Sequence, residues 1–325
     1  MKRMIGGLLA ASLCAMAQGP GPSNAIVGSG YLPPAPVSVA PGQVMTFYLA
    51  ATGVAIPSFA GVTATVLQGT AHDAPVLSVK NVSTCPSSSV QIESSIGCSN
   101  LNAVTVQIPY ELTPFCPACE YIAYFPPPWL YVSFHGAPGT AIELNALADQ
   151  VHILTGCDVL LQTMSPPPPV INFNGLPCAP LVTHGNGTMV SAANPAKPGE
   201  ALTAWATGLG ATDPFVPTGQ PATAPVKTAQ TLRVSFDYEV NALAVKPRPS
   251  APAPAYSGLV PGFVGLYQIN FVVPPEPAQG MAQCAGPGTF APGANVPQSN
   301  LTVSFGGVYS FDGAGICVAT HVPVD

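Results

Sequence analysis

Charge is what this sequence has least of. Asp, Glu, Lys and Arg make up 7% of its 325 residues, against about 25% in an ordinary domain. Only 8 residues are Lys or Arg. That excludes the basic footprint that a nucleic-acid partner requires. Helical periodicity is also missing: no sustained i, i+3, i+4, i+7 apolar pattern follows the N-terminus, which argues against amphipathic helices. No run after residue 13 is long and apolar enough to span a bilayer as a helix. The chemical signatures are absent as well. There is no Gly-x-Ser-x-Gly elbow and no His-Glu-x-x-His. The 14 acidic residues show neither the facing pair of a glycosidase nor a calcium-loop run, although Asp73, Asp213 and Asp312 each sit in turn-like stretches. No cofactor is implied, and the reading is of a non-enzymatic protein, with a redox or hydrolytic enzyme as a further alternative.

What is abundant is proline and glycine, 40 and 32 residues, within a chain that is 48% hydrophobic. The hydrophobic content is too high for a disordered chain. The punctuation breaks the sequence into short runs rich in β-branched and aromatic residues, such as VMTFYLA, VTATVL, AVTVQI, LYVSF, DQVHIL, ALTAWAT, YQINFVV and LTVSFGG. Strands of this length between turn residues predict an all-β chain built as sandwiches. In such a strand alternate residues face the core, with Ile269 in and Gln268 out.

The chain also repeats itself. PGQVMTFYLAATG from Pro41 echoes in PGEALTAWATGLG from Pro198. LNAVTVQIPYE from Leu101 echoes in LYQINFVVPPE from Leu266, and VSFHG from Val132 in VSFGG from Val303. The offsets are 157, 165 and 171 residues, in the same order along the chain. One β-rich module has been built twice. Residues 36–164 are expected to be a diverged first copy and residues 170–325 a second. Between them SPPPP, residues 165–169, reads as a stiff polyproline spacer.

The N-terminus predicts export. Lys2 and Arg3, an apolar stretch to Leu13 and the small-x-small pattern Ala15-Met16-Ala17 read as a signal peptide over residues 1–17. A lipoprotein reading would use Cys14, but Leu13 before it is not small. Residues 18–35 read as a flexible leader. Cleavage leaves 6 basic and 14 acidic residues. The expected location is secreted, periplasmic or cell-surface, with an unidentified protein or polysaccharide of the envelope as partner.

Eight cysteines remain after cleavage: Cys85, Cys98, Cys116, Cys119, Cys157, Cys178, Cys284 and Cys317. An even count in an exported chain reads as disulfides, though 105 pairings are possible. Nearest neighbours would pair as Cys85–Cys98, Cys116–Cys119, Cys157–Cys178 and Cys284–Cys317. The Cys116-Pro117-Ala118-Cys119 motif is followed by a strand-like run and prolines. A redox site would need a helix N-terminus there, so a structural bridge is expected. A zinc site from Cys85, Cys98, Cys116 and Cys119 has poor spacing, and no metal is expected. Five histidines, His72, His135, His152, His184 and His321, show no convergent triad partners. His72 and His184 lie in polar, turn-rich stretches where a solvated or capping role is usual.

The candidate binding residues are aromatic. Phe125, Trp129 and Tyr131 surround the corner Pro126-Pro127-Pro128. The prolines place this corner at a sheet edge or sandwich end, where partners bind. Exposed rings there would stack on sugars or anchor a protein, which makes a carbohydrate-binding module the alternative to a structural or adhesive protein. The plainer reading, which we take first, is that the rings cap the first module's core.

Three segments carry a family resemblance: THGNGTMVSAANPAKPGEALTAWATGLGATDP from Thr183, SGLVPGFVGLYQINFVVPPE from Ser257, and LTVSFGG from Leu301. Together they resemble the domain of unknown function at the C-terminus of many secreted acidobacterial (Solibacter-type) proteins. Asn186 stands where that family has Asp in its His-x-Asp-Gly turn. The resemblance implies an extracellular Ig-like sandwich in the style of IPT/TIG modules and carries no catalytic residues with it. The residues themselves read as turn devices. Pro198-Gly199 launches a strand, Gly208 and Gly210 allow a tight corner, and Pro261-Gly262 suits a type II turn.

Overall fold

Runs of Val, Thr, Ile and aromatic residues between Gly and Pro form strands wherever the structure is described. The computed structural model describes residues 25–27, 36–49, 60–83, 100–114, 126–136, 141–155, 180–191, 193–236, 251–274, 301–305 and 311–319. Among them there is no helix, and the fold is all-β. The expected signal peptide, most of the leader, the proline linker, Phe125, His321 and every cysteine except Cys317 lie outside the described residues. Cys317 is disulfide-bonded.

The first half supplies β1 (Ala25–Val27), β2 (Val37–Val39), β3 (Val44–Leu49), β4 (Val62–Gln68), β5 (Thr70–Asp73), β6 (Val76–Ser83), β7 (Asn100–Gln107), β8 (Trp129–Phe134) and β9 (Ala141–Ala146). They form two sheets, ordered β1-β3-β7-β6 and β2-β9-β8-β4-β5. A single apolar cluster includes Phe47, Val104 and Val106 from one sheet and Val66, Leu130 and Ile142 from the other, all at most 1% exposed.

The second half supplies β10 (His152–Ile153), β11 (Val182–His184), β12 (Ala201–Thr207), β13 (Thr212–Asp213), β14 (Val226–Thr228), β15 (Arg233–Phe236), β16 (Tyr256–Leu259), β17 (Tyr267–Val272), β18 (Leu301–Ser304) and β19 (Phe311–Ala314). One sheet runs β10-β12-β17-β16-β14-β13, with β11 also on β12, and the other runs β15-β18-β19. Tyr267, Ile269, Leu202 and Val303 sit in its core. Gln268 and Ile269 alternate out and in as expected.

The repeat in the sequence is a repeat in register. Val44 pairs with Gln107, and Ala201, 157 residues on, pairs with Val272, 165 residues on. The same offsets carry Thr46 opposite Thr105 onto Thr203 opposite Asn270. Both pairs are joined by side-chain hydrogen bonds, of 2.8 and 3.1 Å. In the other sheet Leu130 pairs with Ile142, and Leu301 with Ala314. Val39 lies parallel to Ala146, and Ala196 to Val318. Even the turn before β3 recurs. The Gly42 amide donates to Ile108 O and the Gly199 amide to Val273 O, both at 2.9 Å. A shared register over three pairings means the copies bury equivalent faces, because a one-residue slip would invert them.

One strand falls on the other side of the expected boundary. DQVHIL was expected in the first module. Instead, His152 and Ile153 pair with Thr207 and Ala206 of β12, where β1 pairs with β3 in the first half. Asp312 holds them there, its Oδ2 accepting from the Ile153 amide at 2.8 Å and lying 3.1 Å from His152 Nδ1. Periodicity within the segment could not reveal this, since a strand carries no label for its partner sheet.

Candidate binding face and module junction

β8 is a central strand, flanked by β9 and β4. The prolines of the corner end before it, and Pro128 contributes a carbonyl to the Leu144 amide. Along β8, Leu130 and Val132 are buried while Trp129, Tyr131 and Ser133 are half-buried. Period-two geometry therefore puts Trp129 and Tyr131 on the outward face, opposite the core. They do not cap the core. Neighbouring strands extend this face. Trp129 pairs with Glu143 of β9 and with Leu67 of β4, which is 40% exposed. Tyr131 pairs with Ala141 and Thr65, and Thr63 with Ser133. Asn145 donates to Ser38 at 3.3 Å. The result is a row of aromatic and apolar side chains set among hydroxyls, an amide and a carboxylate.

The second copy treats the position that matches Tyr131 differently. Tyr131 corresponds to Thr302, which is 1% exposed, and all four residues of β18 are buried. The outward face of β18 is covered, whereas that of β8 is partly accessible.

The second feature is where the halves meet. The chain after β12 turns at Gly208 and Gly210, with φ of 75° and 78°. A methyl at Gly208 would collide with the carbonyl oxygen of Gln150, and one at Gly210 with that of Ala148. A methyl at Gly265 would meet Val44 and the Gly42 carbonyl. These glycines do more than shape a corner, because they clear space for the first half and the connecting segment. Hydrogen bonds then cross the junction. The Gln150 amide donates to Gly208 O at 2.8 Å, Val44 N to Thr207 Oγ1 at 3.0 Å, and Gly219 N to Gln107 Oε1 at 2.6 Å. Thr218 Oγ1 accepts from the Tyr110 amide and donates to Glu111. At the centre Tyr267 donates to Gly210 O, so Tyr110 donates to Tyr267, 3.1 Å away. Burial pushes both phenols above their ordinary range. At Tyr267 the nearby Tyr110 adds to this. Both stay neutral. The Tyr110 ring also fills the space over Gly42, whereas over Gly199, its counterpart, there is nothing within 4 Å.

The third feature is a polar knot at His184. Its residue is 8% exposed, and of the two roles expected of it, solvated or capping, its bonds fit the capping one. Nδ1 donates to Glu200 at 2.6 Å and Nε2 to the Asn194 carbonyl at 3.1 Å. An acceptor at each nitrogen favours the imidazolium form. Glu200 also accepts from the Lys197 amide, and Asn186 Oδ1 accepts from both Thr188 N and Thr188 Oγ1. These groups line an open pocket of about 340 Å³. The turn motif and the Ala-Asn-Pro-Ala-x-Pro-Gly-Glu segment therefore meet in space and satisfy one another.

The bond to Glu200 is the main reason that the His184 pKa lies above its ordinary 6.5, although burial opposes it. Burial pushes Glu200 up. The bonds from His184 and the Lys197 amide outweigh it and leave the carboxyl below 4.5. His184 thus contributes stability that is complete below 6.5 and lost as pH rises through its folded value. Glu200 contributes stability that is present above 4.5 and lost as pH falls through its folded value. We expect the melting-temperature gap between the native chain and His184→Gln to be widest between about pH 4.5 and 6.5 and to narrow on either side. A gap independent of pH would show that the pair does not titrate as drawn.

Among the described residues no group of three or more His, Cys, Asp or Glu could hold a metal ion. No helix among them is long and apolar enough to cross a membrane. No family model matches this chain, and no curated protein matches it.

Proposed function

We propose that this chain is an exported, non-enzymatic protein of two Ig-like sandwiches. Its role is adhesive or partner-binding at or outside the cell envelope, exerted through the outward face of β8. The observation that carries this is the contrast between the copies: half-buried Trp129 and Tyr131 and exposed Leu67 line a face where the second copy buries Thr302, the counterpart of Tyr131. Duplicated folds share what folding needs, so an apolar ring left accessible where the second copy buries a threonine points to recognition. The resemblance of the second half to the secreted acidobacterial domain family supports the extracellular setting. The knot at His184 gives the signature residues of that family a structural task, which leaves the β8 face as the place for binding.

Retention of the full mature chain on its own envelope fraction tests this. Leu67→Lys, at an exposed position, is expected to release the protein, whereas Phe263→Ala, at another exposed position, is not. Equal retention of both variants would contradict the proposal.

A further inference from the structure

We infer that the occupant of the β8 face is an uncharged polysaccharide, stacked on Trp129 and Tyr131. This rests on the proposal that the face is the binding surface, and it adds the ligand's chemistry.

Three observations lead there. The first is shape. Trp129 and Tyr131 lie two residues apart on one strand, about 7 Å along it, with Leu67 one strand across, about 5 Å away. Each aromatic is half-buried. A protein hot spot usually inserts a protruding anchor into a pocket. Half-buried rings on a central strand instead make a platform, which suits the flat apolar face of a pyranose ring. The second is polarity. Glu143 stands beside Trp129 and Thr65 beside Tyr131, with the Asn145–Ser38 pair next along β9 and β2. Each ring position therefore has a hydroxyl-binding group at a neighbouring strand position. The third is charge. Strands β2, β4, β5, β8 and β9 contain no Lys or Arg, while Glu143 and Asp73 are acidic. Such a sheet repels polyanions and offers them no counter-charge. Nucleic acids and acidic polysaccharides are thereby excluded, and a neutral polymer remains.

The chain has two tryptophans, which makes the test direct. Trp205→Phe leaves Trp129 as the only indole. That variant of the mature chain is titrated with soluble xylan, mannan, dextran and a neutral cellulose derivative, with polygalacturonate as the polyanion. Parallel native gels contain each polymer. We expect saturable indole fluorescence change and retardation with at least one neutral polymer, and neither with polygalacturonate. Tyr131→Ala is expected to weaken binding about tenfold, the effect of losing one ring contact. Leu67→Lys serves where Tyr131→Ala lowers the melting temperature, since position 67 is exposed. Binding that survives both substitutions, preference for polygalacturonate, or no neutral polymer bound would each overturn the inference. If Leu67→Lys still abolishes envelope retention while no neutral polymer binds, the binding face stands and only its ligand is wrong.

Discussion

Gly208→Ala is expected to destabilise the chain by about 2–5 kcal/mol and to split its unfolding into two transitions. An alanine at φ of 75° costs about 1–2 kcal/mol in backbone strain. Its methyl would also occupy the position of the Gln150 carbonyl. The neighbouring chain must withdraw, and the bond from the Gln150 amide to Gly208 O is lost with it. A buried group left unpaired costs about 1–3 kcal/mol more. Gly187→Ala is the matched control. Its φ is 81°, but nothing lies within 4 Å of the missing methyl. It should show the strain alone and keep a single transition. Scanning calorimetry reads both outcomes, and equal effects of the two substitutions would show that Gly208 is only a corner.

Tyr267→Ala is expected to cost about 3–5 kcal/mol from the cavity alone, because the residue is fully buried in the second half's core. It also strands the Tyr110 hydroxyl and the Gly210 carbonyl at the junction. Tyr267→Phe keeps the ring and removes only the hydroxyl, so it should cost about 1–3 kcal/mol. The two variants separate packing from hydrogen bonding. Tyr110→Phe should then add little in the Tyr267→Phe background, since each has already lost the shared bond. Urea unfolding of the single and double variants measures this. Full additivity would mean that the two hydroxyls do not interact.

Much of the architecture was legible in the residues. The echoes at Pro41 and Pro198 predicted a doubled module, and the strand pairings reproduce their offsets residue by residue. This worked because turns and alternating core positions are local, and their pattern survives along the chain. The junction was not legible. Gly208 and Gly210 announce a positive φ, but nothing near them in sequence says that a carbonyl from residues 148–150 stands where a side chain would go. Tyr110 and Tyr267 are separated by 157 residues. Neither residue alone signals a buried pair.

The candidate sites divide in the same way. Trp129 and Tyr131 stood out as aromatics beside a proline corner, but which side of the sheet they face depended on where β8 begins. Once Trp129 opens the strand, Leu130 takes the core and the rings turn outward. His184 lies in a polar stretch where a solvated or capping role is expected. Its partner Glu200 is only 16 residues away, yet the intervening turn had to fold back before the two could meet.

The most direct test places a photo-crosslinking residue at Leu67 in the full mature chain, with a second variant carrying it at Phe263. Both are irradiated on the protein's own envelope fraction. The account predicts an adduct from position 67 that an excess of native protein competes away, and none from position 263. Adducts from position 263 alone, or adducts at both positions that native protein does not displace, would contradict a binding role for the β8 face.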